Sequence, residues 1–277
     1  MIYSWLYGNF GWFGLFGATI LFGFTFYAIF VNLSYYWYFV RQRTRYVPDY
    51  RESSHELRQA RLWSIRHIIG NTLLVLPVQL LIVFGWSRLY PNVAEHGYSY
   101  LLASLIGAIA FAETAIYWLH RSLHVQPFYG WLHAVHHRFR EPTSAIAYAF
   151  NPLDSFIQSL PYHVYVFIVP TNVWVYFALW MFSSFWTVMI HDRVRWSPDF
   201  LYAVVNHAGC HAAHHWFYRY NYGNYFTFWD KLCGTYCDPD RLPEKFFAVK
   251  LASAPPRLPA AAAASPETGW ADIGEWR

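Results

Sequence analysis

Charge is scarce in this chain. Asp, Glu, Lys and Arg make up 13% of its 277 residues, against roughly 25% in an average soluble domain, while 56% of the residues are hydrophobic and 22% aromatic. That balance excludes an ordinary soluble globule and points to a membrane protein. The net charge of +4 is small and gives no reason to expect a nucleic-acid partner. Cysteine is equally scarce: Cys210, Cys233 and Cys237 are too few and too late in the chain for a disulfide framework. Cys233 and Cys237 lie four apart without a partner pair, so they read as reduced, partly buried thiols. Met1 to Phe10 lacks a basic stretch, and no small-residue cleavage site follows the apolar run from Trp12. The first apolar segment is therefore expected to stay in the mature protein. There is no H-E-x-x-H protease motif, and no Glu-x-x-His pair of the carboxylate di-iron type appears among the clustered histidines.

Long apolar runs are what the chain does have. A bilayer core of about 30 Å needs about 20 apolar residues as helix; Trp12 to Val40, Ile68 to Trp86 and Tyr98 to Leu119 qualify. Phe156 to Ile190 is longer and is interrupted by Pro161 and Pro170, so it reads as a helical hairpin that enters and returns to one side, with proline-freed carbonyls buried inside the protein. Arg41, Arg43, Arg45, Arg51, Arg58, Arg61 and Arg66 crowd the first connection, whereas Arg88 stands alone in the next. The arginine-rich connection is expected to be cytoplasmic, which places His120 to Asp154 and everything from His191 onward on that side. The expected fold is an all-α membrane protein of about four transmembrane units, three spans plus a hairpin, carrying a cytoplasmic histidine-rich helical cap. Residues 1–250 form the membrane-embedded domain and 251–277 a Pro/Ala-rich disordered tail. Aromatic clusters such as "NLSYYWYFV" read as an interfacial belt, and "NYGNYF" as a turn in which Gly223 permits positive φ. Substrate is expected to enter laterally between the hairpin and the third span.

The chain holds 14 histidines. His55, His67 and His96 fall in loops or at span ends and read as ordinary surface or interfacial side chains. Three groups have ligand-like spacing: His120 and His124; His133, His136 and His137; His211, His214 and His215. Successive helical residues turn by about 100°, so each group can aim its imidazoles at one point, and a neutral imidazole is a good ligand for iron, zinc, copper or nickel. So many imidazoles exceed what one four-coordinate zinc can use, which favours two ions. An all-nitrogen dinuclear site beside membrane-buried surface suits iron activating oxygen against an apolar substrate. His120 and His124 each fall within about 20° of Glu113 on a helix face. Glu113 and Asp192 are candidate catalytic carboxylates, each either the acceptor that fixes a ligand tautomer or a structural hydrogen-bonding group.

From residue 120 onward the chain resembles the fatty acid hydroxylase/sterol desaturase superfamily, whose signatures H-x3-H, H-x2-H-H and H-x2-H-H are all matched. "HRSLH", "LHAVHHRFREPTSA", "SLPYH", "WTVMIHD" and "YNYGNYFTFWD" make it most similar to the sterol C-5 desaturase (lathosterol oxidase) branch, over about residues 111 to 239. The resemblance implies metal ligation by His120, His124, His133, His136, His137, His191, His211, His214 and His215, with His191 supplied by the family motif alone. His163 matches a family position and reads as a channel or structural residue; His207 stands where the family has glycine. Tyr148 and Asn151 replace two histidines of the branch, and Arg193 replaces the glycine of "HDG". The resemblance further implies two ferrous ions, O2 as co-substrate, and electrons from cytochrome b5 and NADH, received at a basic face around Arg138, Arg140 and Arg219. It also implies a Δ7-sterol substrate gaining a C5–C6 double bond, and residence in the endoplasmic reticulum of a eukaryote or the inner membrane of a bacterium. Two other outcomes stay open: hydroxylation of a sterol or fatty acyl chain at the same metals, and a non-catalytic membrane protein holding structural zinc.

Overall fold

A computed structural model of the chain describes residues 2–48, 50–51, 53–194 and 199–242; the expected tail at 251–277 lies outside them. Five long helices dominate. α1 runs Ile2–Arg41, bent at Gly11 (φ 60°, ψ −154°) and loosened into π-helical turns at Tyr27–Val31 and Tyr36–Arg41. α2 is Ser54–Val83, α3 is Gly97–Leu123, α4 is Pro152–Ile168 and α5 is Val173–His191. Among the short helices that follow are α6 (Ala208–Phe217) and α7 (Phe228–Leu232). α1, α2, α3 and α5 are long and apolar enough to cross a membrane.

Local chemistry sets the starts. Ser53 caps α2 by accepting from Glu56 N, Asn151 caps α4 by accepting from Leu153 N with Pro152 at the first position, and Asn172 caps α5 by accepting from Trp174 N. α2 therefore begins 14 residues before the apolar run that marks it in the sequence, and Arg58, Arg61 and Arg66 belong to a helix and not to a loop. The hairpin breaks only at Pro170. Helix continues through Pro161, which is buried with Tyr162 against its neighbours, so that packing outweighs the one backbone bond it removes; it also continues through the exposed Pro77 in α2. A short parallel pair, β1 (Leu89–Tyr90) with β2 (Thr171–Asn172), ties the hairpin tip to the α2–α3 connection, and Tyr100 Oη donates to Pro170 O at 3.0 Å.

The core lies where Ala108, Ala112 and Ile116 of α3 meet Tyr162 and Tyr165 of α4 and Leu179, Trp186 and Ile190 of α5. Small residues one turn apart on α3 let the hairpin approach closely. α2 seats on the start of α4 at Gly70, where a Cβ would stand 2.6 Å from the Pro152 ring. Large apolar side chains such as Leu21, Leu102, Ile106, Trp174 and Phe177 are exposed on the outer faces, as lipid contact requires. The chain order brings the C-terminal ends of α1, α3 and α5 and the N-terminal ends of α2 and α4 to one end of the bundle, and the histidines collect there.

Candidate metal centre

Nine imidazoles converge in two sets. His120, His124, His133, His137 and His214 place one ligand atom each within 4.8 Å of one another, and His136, His191, His211 and His215 do the same. The sets do not follow the sequence groups, and helix geometry explains why. His120/His124, His133/His137 and His211/His215 are i, i+4 pairs, turned by only about 40°, and each pair shares a set. His136 and His214 sit three residues on from their group's first histidine, rotated to its other side, and cross to the other set. The second and third boxes thus serve both centres, whereas the first serves one. The expectation that a box aims all its rings at one point holds for His120 and His124 and is corrected for the other two boxes. The sets touch: His137 and His215 have ring centroids 4.7 Å apart.

The hydrogen bonds fix which nitrogen faces inward. His120 Nδ1 donates to Tyr222 O at 2.9 Å, His214 Nδ1 to Tyr220 O at 2.7 Å, His215 Nδ1 to Phe139 O at 3.1 Å, His191 Nδ1 to Thr187 O at 2.6 Å, and His133 Nδ1 to Asp154 Oδ2 at 2.8 Å. Carbonyl and carboxylate oxygens can only accept, so these Nδ1 atoms carry the proton and a neutral ring leaves a bare lone pair on Nε2. Those Nε2 atoms then face other imidazole nitrogens at very short range: His120 to His133 at 3.1 Å, His191 to His211 at 3.0 Å, His214 to His137 at 3.0 Å. Between His120 and His133 both lone pairs are bare. Such an arrangement repels unless a cation lies between the nitrogens, and the buried, unpartnered His124 Nε2 joins the same set. Burial first, and then the neighbouring imidazoles, push His124, His136, His137, His211, His214 and His215 below the ordinary histidine range. The rings are therefore neutral, as ligation demands. The donor set fits two nitrogen-binding transition-metal ions.

The loop after α6 supplies two of the acceptors. Its backbone is pinned from both sides: Tyr222 N and Gly223 N donate to Asp230 at 2.8 Å each, while Tyr225 N and Phe226 N donate to Glu113 at 2.8 and 3.2 Å. With its N–H groups held, the loop turns the Tyr220 and Tyr222 carbonyls to His214 and His120. Gly223 is there for space and not for positive φ, which falls at Asn221 (57°). A Cβ at Gly223 would meet Phe226 O and stand 2.9 Å from Asp230 Oδ2.

Glu113 therefore has backbone partners and touches no imidazole. Asp192 likewise accepts from Val194 N at 2.8 Å, at the end of α5, and burial pushes its carboxyl well above the usual range. The carboxylate that does hold an imidazole is Asp154, fully buried and steadied by Gln158 Nε2 at 2.8 Å. Nothing local in the sequence marks it, because its partner His133 lies 21 residues away.

The remaining histidines separate cleanly. His163 Nδ1 pairs with Tyr176 Oη at 2.7 Å. His207 caps α6 by accepting from Gly209 N and stacks on Tyr202 at 3.6 Å. His96 stacks on Tyr100, and His55 is exposed. His67, expected as an ordinary interfacial side chain, is instead buried inside the bundle. Arg193 adopts φ 61°, the conformation for which glycine is favoured, and pairs with Glu141 at 3.0 Å. Asn151 is the α4 cap, and Tyr148 lines a cavity of about 170 Å³ among α1, α2, α4 and α5.

A family model described as fatty acid hydroxylase matches residues 105–235. A Delta(7)-sterol 5(6)-desaturase of Schizosaccharomyces pombe is 37% identical over 227 residues, covering 82% of this chain and 68% of the relative. A Delta(7)-sterol 5(6)-desaturase of Candida dubliniensis is 40% identical over 228 residues, covering 82% of this chain and 58% of the relative, so the chain spans little more than half of that protein. The lathosterol oxidase of Homo sapiens is 35% identical over 231 residues, covering 83% and 75%. No solved structure matches. The three histidine boxes, the loop that orients them and the long stretches of identity lead to one assignment: the chain belongs to the fatty acid hydroxylase family.

Proposed function

We propose that this protein is an oxygen-dependent di-iron sterol desaturase that introduces the C5–C6 double bond into a Δ7-sterol, with its histidine end facing the cytoplasm and, in a eukaryote, the endoplasmic reticulum as its membrane. The observation that carries the reading is the pair of adjoining all-imidazole sets whose inward lone pairs require cations, set against a cavity between apolar helices. The names of the relatives supply the substrate class. Two hydrogens leave C5 and C6; with two electrons and two protons from a donor, O2 is reduced to two waters. Bound iron would supply the oxygen activation and hydrogen removal.

The chain's own residues do the rest. Asp154 and the Tyr220, Tyr222, Phe139 and Thr187 carbonyls hold the Nδ1 protons outward and so keep Nε2 free for metal. Phe150 lies flat on His136, centroids 3.9 Å apart, and forms part of the cavity wall, excluding water between substrate and ligand. Arg138, Arg140 and Arg219 are exposed near the same end and offer a basic face to an acidic cytochrome b5-type donor.

The test is to supply the purified protein with iron, O2, NADH, cytochrome b5 and its reductase, and a Δ7-sterol. A conjugated 5,7-diene is expected, with His214→Ala inactive. A hydroxysterol without diene would overturn the desaturase reading in favour of hydroxylation.

A further inference from the structure

The cavity beside the metal centre contains polar atoms that the protein does not satisfy. Both ring nitrogens of His67 are buried without a hydrogen bond, although the Tyr148 backbone lies close to the ring, and Asn71 Oδ1 is buried without one too. His67 and Asn71 are four residues apart on α2, on one face, and both line the cavity. Unpaired buried groups of this kind are rare in folded proteins and mark a place where a partner is missing. A neutral imidazole presents one donor and one acceptor, and Asn71 Oδ1 a second acceptor. One hydroxyl can accept from the ring N–H and donate to Asn71 Oδ1, bridging the two side chains; a carboxylate, which only accepts, leaves Asn71 Oδ1 unpaired.

The position of this pair narrows the ligand further. The His67 ring lies 5.4 Å from Tyr148 and 5.9 Å from Phe150, and Phe150 stacks on His136. One aromatic ring thus separates the orphaned imidazole from a metal-facing one. In a sterol the hydroxyl-bearing carbon C3 is joined to C5 through a single carbon, so a seat for that hydroxyl has to be close to the metals. A lipid oxidised far along its chain would need its polar head distant from them.

The geometry points to His67 and Asn71 as the seat of the substrate's 3β-hydroxyl, the contact that sets which carbons of the sterol are presented to the centre. The assignment rests on the sterol reading above, and the test separates the two. Equilibrium binding to the detergent-purified protein is measured with a radiolabelled Δ7-sterol and with its 3-deoxy analogue. The unaltered protein is expected to bind the hydroxysterol about tenfold more tightly than the analogue. His67→Phe, which keeps a ring between Tyr148 and Phe150, is expected to erase that preference while binding the deoxy analogue as the unaltered protein does. That undiminished binding also reports a folded variant. His67→Gln is expected to restore part of the preference, and Asn71→Leu to reduce it independently. Equal weakening of both ligands by His67→Phe, or no preference in the unaltered protein, would overturn the seat and leave the desaturase reading standing. Failure of the unaltered protein to bind either sterol would overturn both.

Discussion

Replacing Asp154 separates a residue that shapes a ligand from one that merely fills space. Its carboxylate is fully buried between two donors, His133 Nδ1 and Gln158 Nε2, at 2.8 Å each. Alanine leaves the His133 proton without an acceptor inside the protein. An unpaired buried donor costs about 1–3 kcal/mol, and a hydrogen bond to a charged group contributes about 1.5–3 kcal/mol. The ring escapes that cost by moving its proton to Nε2, the nitrogen that faces His120 and His137, and so withdraws from ligation. Since about 1.4 kcal/mol is a factor of ten, Asp154→Ala is expected to weaken metal binding ten- to hundredfold, about the range typical for partners of metal-bound histidine. Asp154→Asn keeps an oxygen for Nδ1 if Gln158 turns its own oxygen to the new amide, so its loss is expected to be smaller, roughly three- to tenfold. The assay is metal retained per chain after dialysis against a graded chelator, with melting temperature as the control for folding. Full retention in Asp154→Ala, with the fold intact, would refute the claim that this carboxylate sets the tautomer.

Three further outcomes follow from the same geometry. Burial and neighbouring imidazoles hold His136, His137, His211, His214 and His215 below their unfolded value of 6.5, so on acidification the unfolded chain takes up protons first. Their contribution to the metal-free protein is complete above about pH 6.5 and declines below it; a melting temperature that rises from about pH 8 to about pH 5 would contradict this. Gly223→Ala drives a methyl group into a backbone carbonyl and the Asp230 carboxylate. Loss of the loop's grip on His120 and His214 is expected to lower diene formation at least tenfold, and wild-type turnover would show that the loop can give. Arg193→Gly relieves a left-handed backbone worth about 1 kcal/mol but removes a side chain only 7% exposed that pairs with Glu141, and the lost packing and pairing outweigh the backbone gain. A net loss of about 1 kcal/mol is expected in chemical unfolding, and a more stable variant would refute that ordering.

The parts of this arrangement readable in the sequence are those governed by local periodicity. Apolar runs of span length gave three crossing helices and the hairpin, and i, i+3, i+4 spacing marked eight of the nine clustered imidazoles; His191 entered only through its family motif. What spacing could not supply is sharing between elements. His136 and His214 join the set opposite to their box neighbours because the boxes pack against each other, a tertiary fact. Asp154 and the Tyr222 carbonyl act on His133 and His120, far along the chain, while Asp230 and the Tyr220 carbonyl act within a loop whose path no periodicity describes. His67 was hidden differently. The hydropathy of the run begins at Ile68, but the Ser53 cap starts the helix much earlier, carrying a histidine into the bundle that composition alone assigns to its edge.

The inventory of charge around the two sets decides what kind of centre they can make. All nine converging side chains are imidazoles, and among the described residues Asp154 is the one carboxylate hydrogen-bonded to any of them. Glu113 spends its oxygens on backbone N–H groups, Asp230 on backbone N–H groups and the Thr235 hydroxyl, and Asp192 accepts from Val194 N, with burial pushing its carboxyl up. Two divalent ions would bring four positive charges into a buried, neutral nitrogen cage offset by little more than one anion. Carboxylate-rich di-iron bundles instead neutralise their metals directly with glutamates. A cage of neutral donors stabilises the lower oxidation state relative to the higher, because each electron removed adds charge that no ligand compensates and that water cannot reach. An oxidised centre held there would correspondingly be a stronger oxidant, which is the property the proposed removal of hydrogen from a saturated ring carbon would need. With Asp154 behind one imidazole and Glu113 and Asp230 behind the loop backbone, the carboxylates fix tautomer and loop without ligating, so one site would combine firm geometry with weak charge compensation.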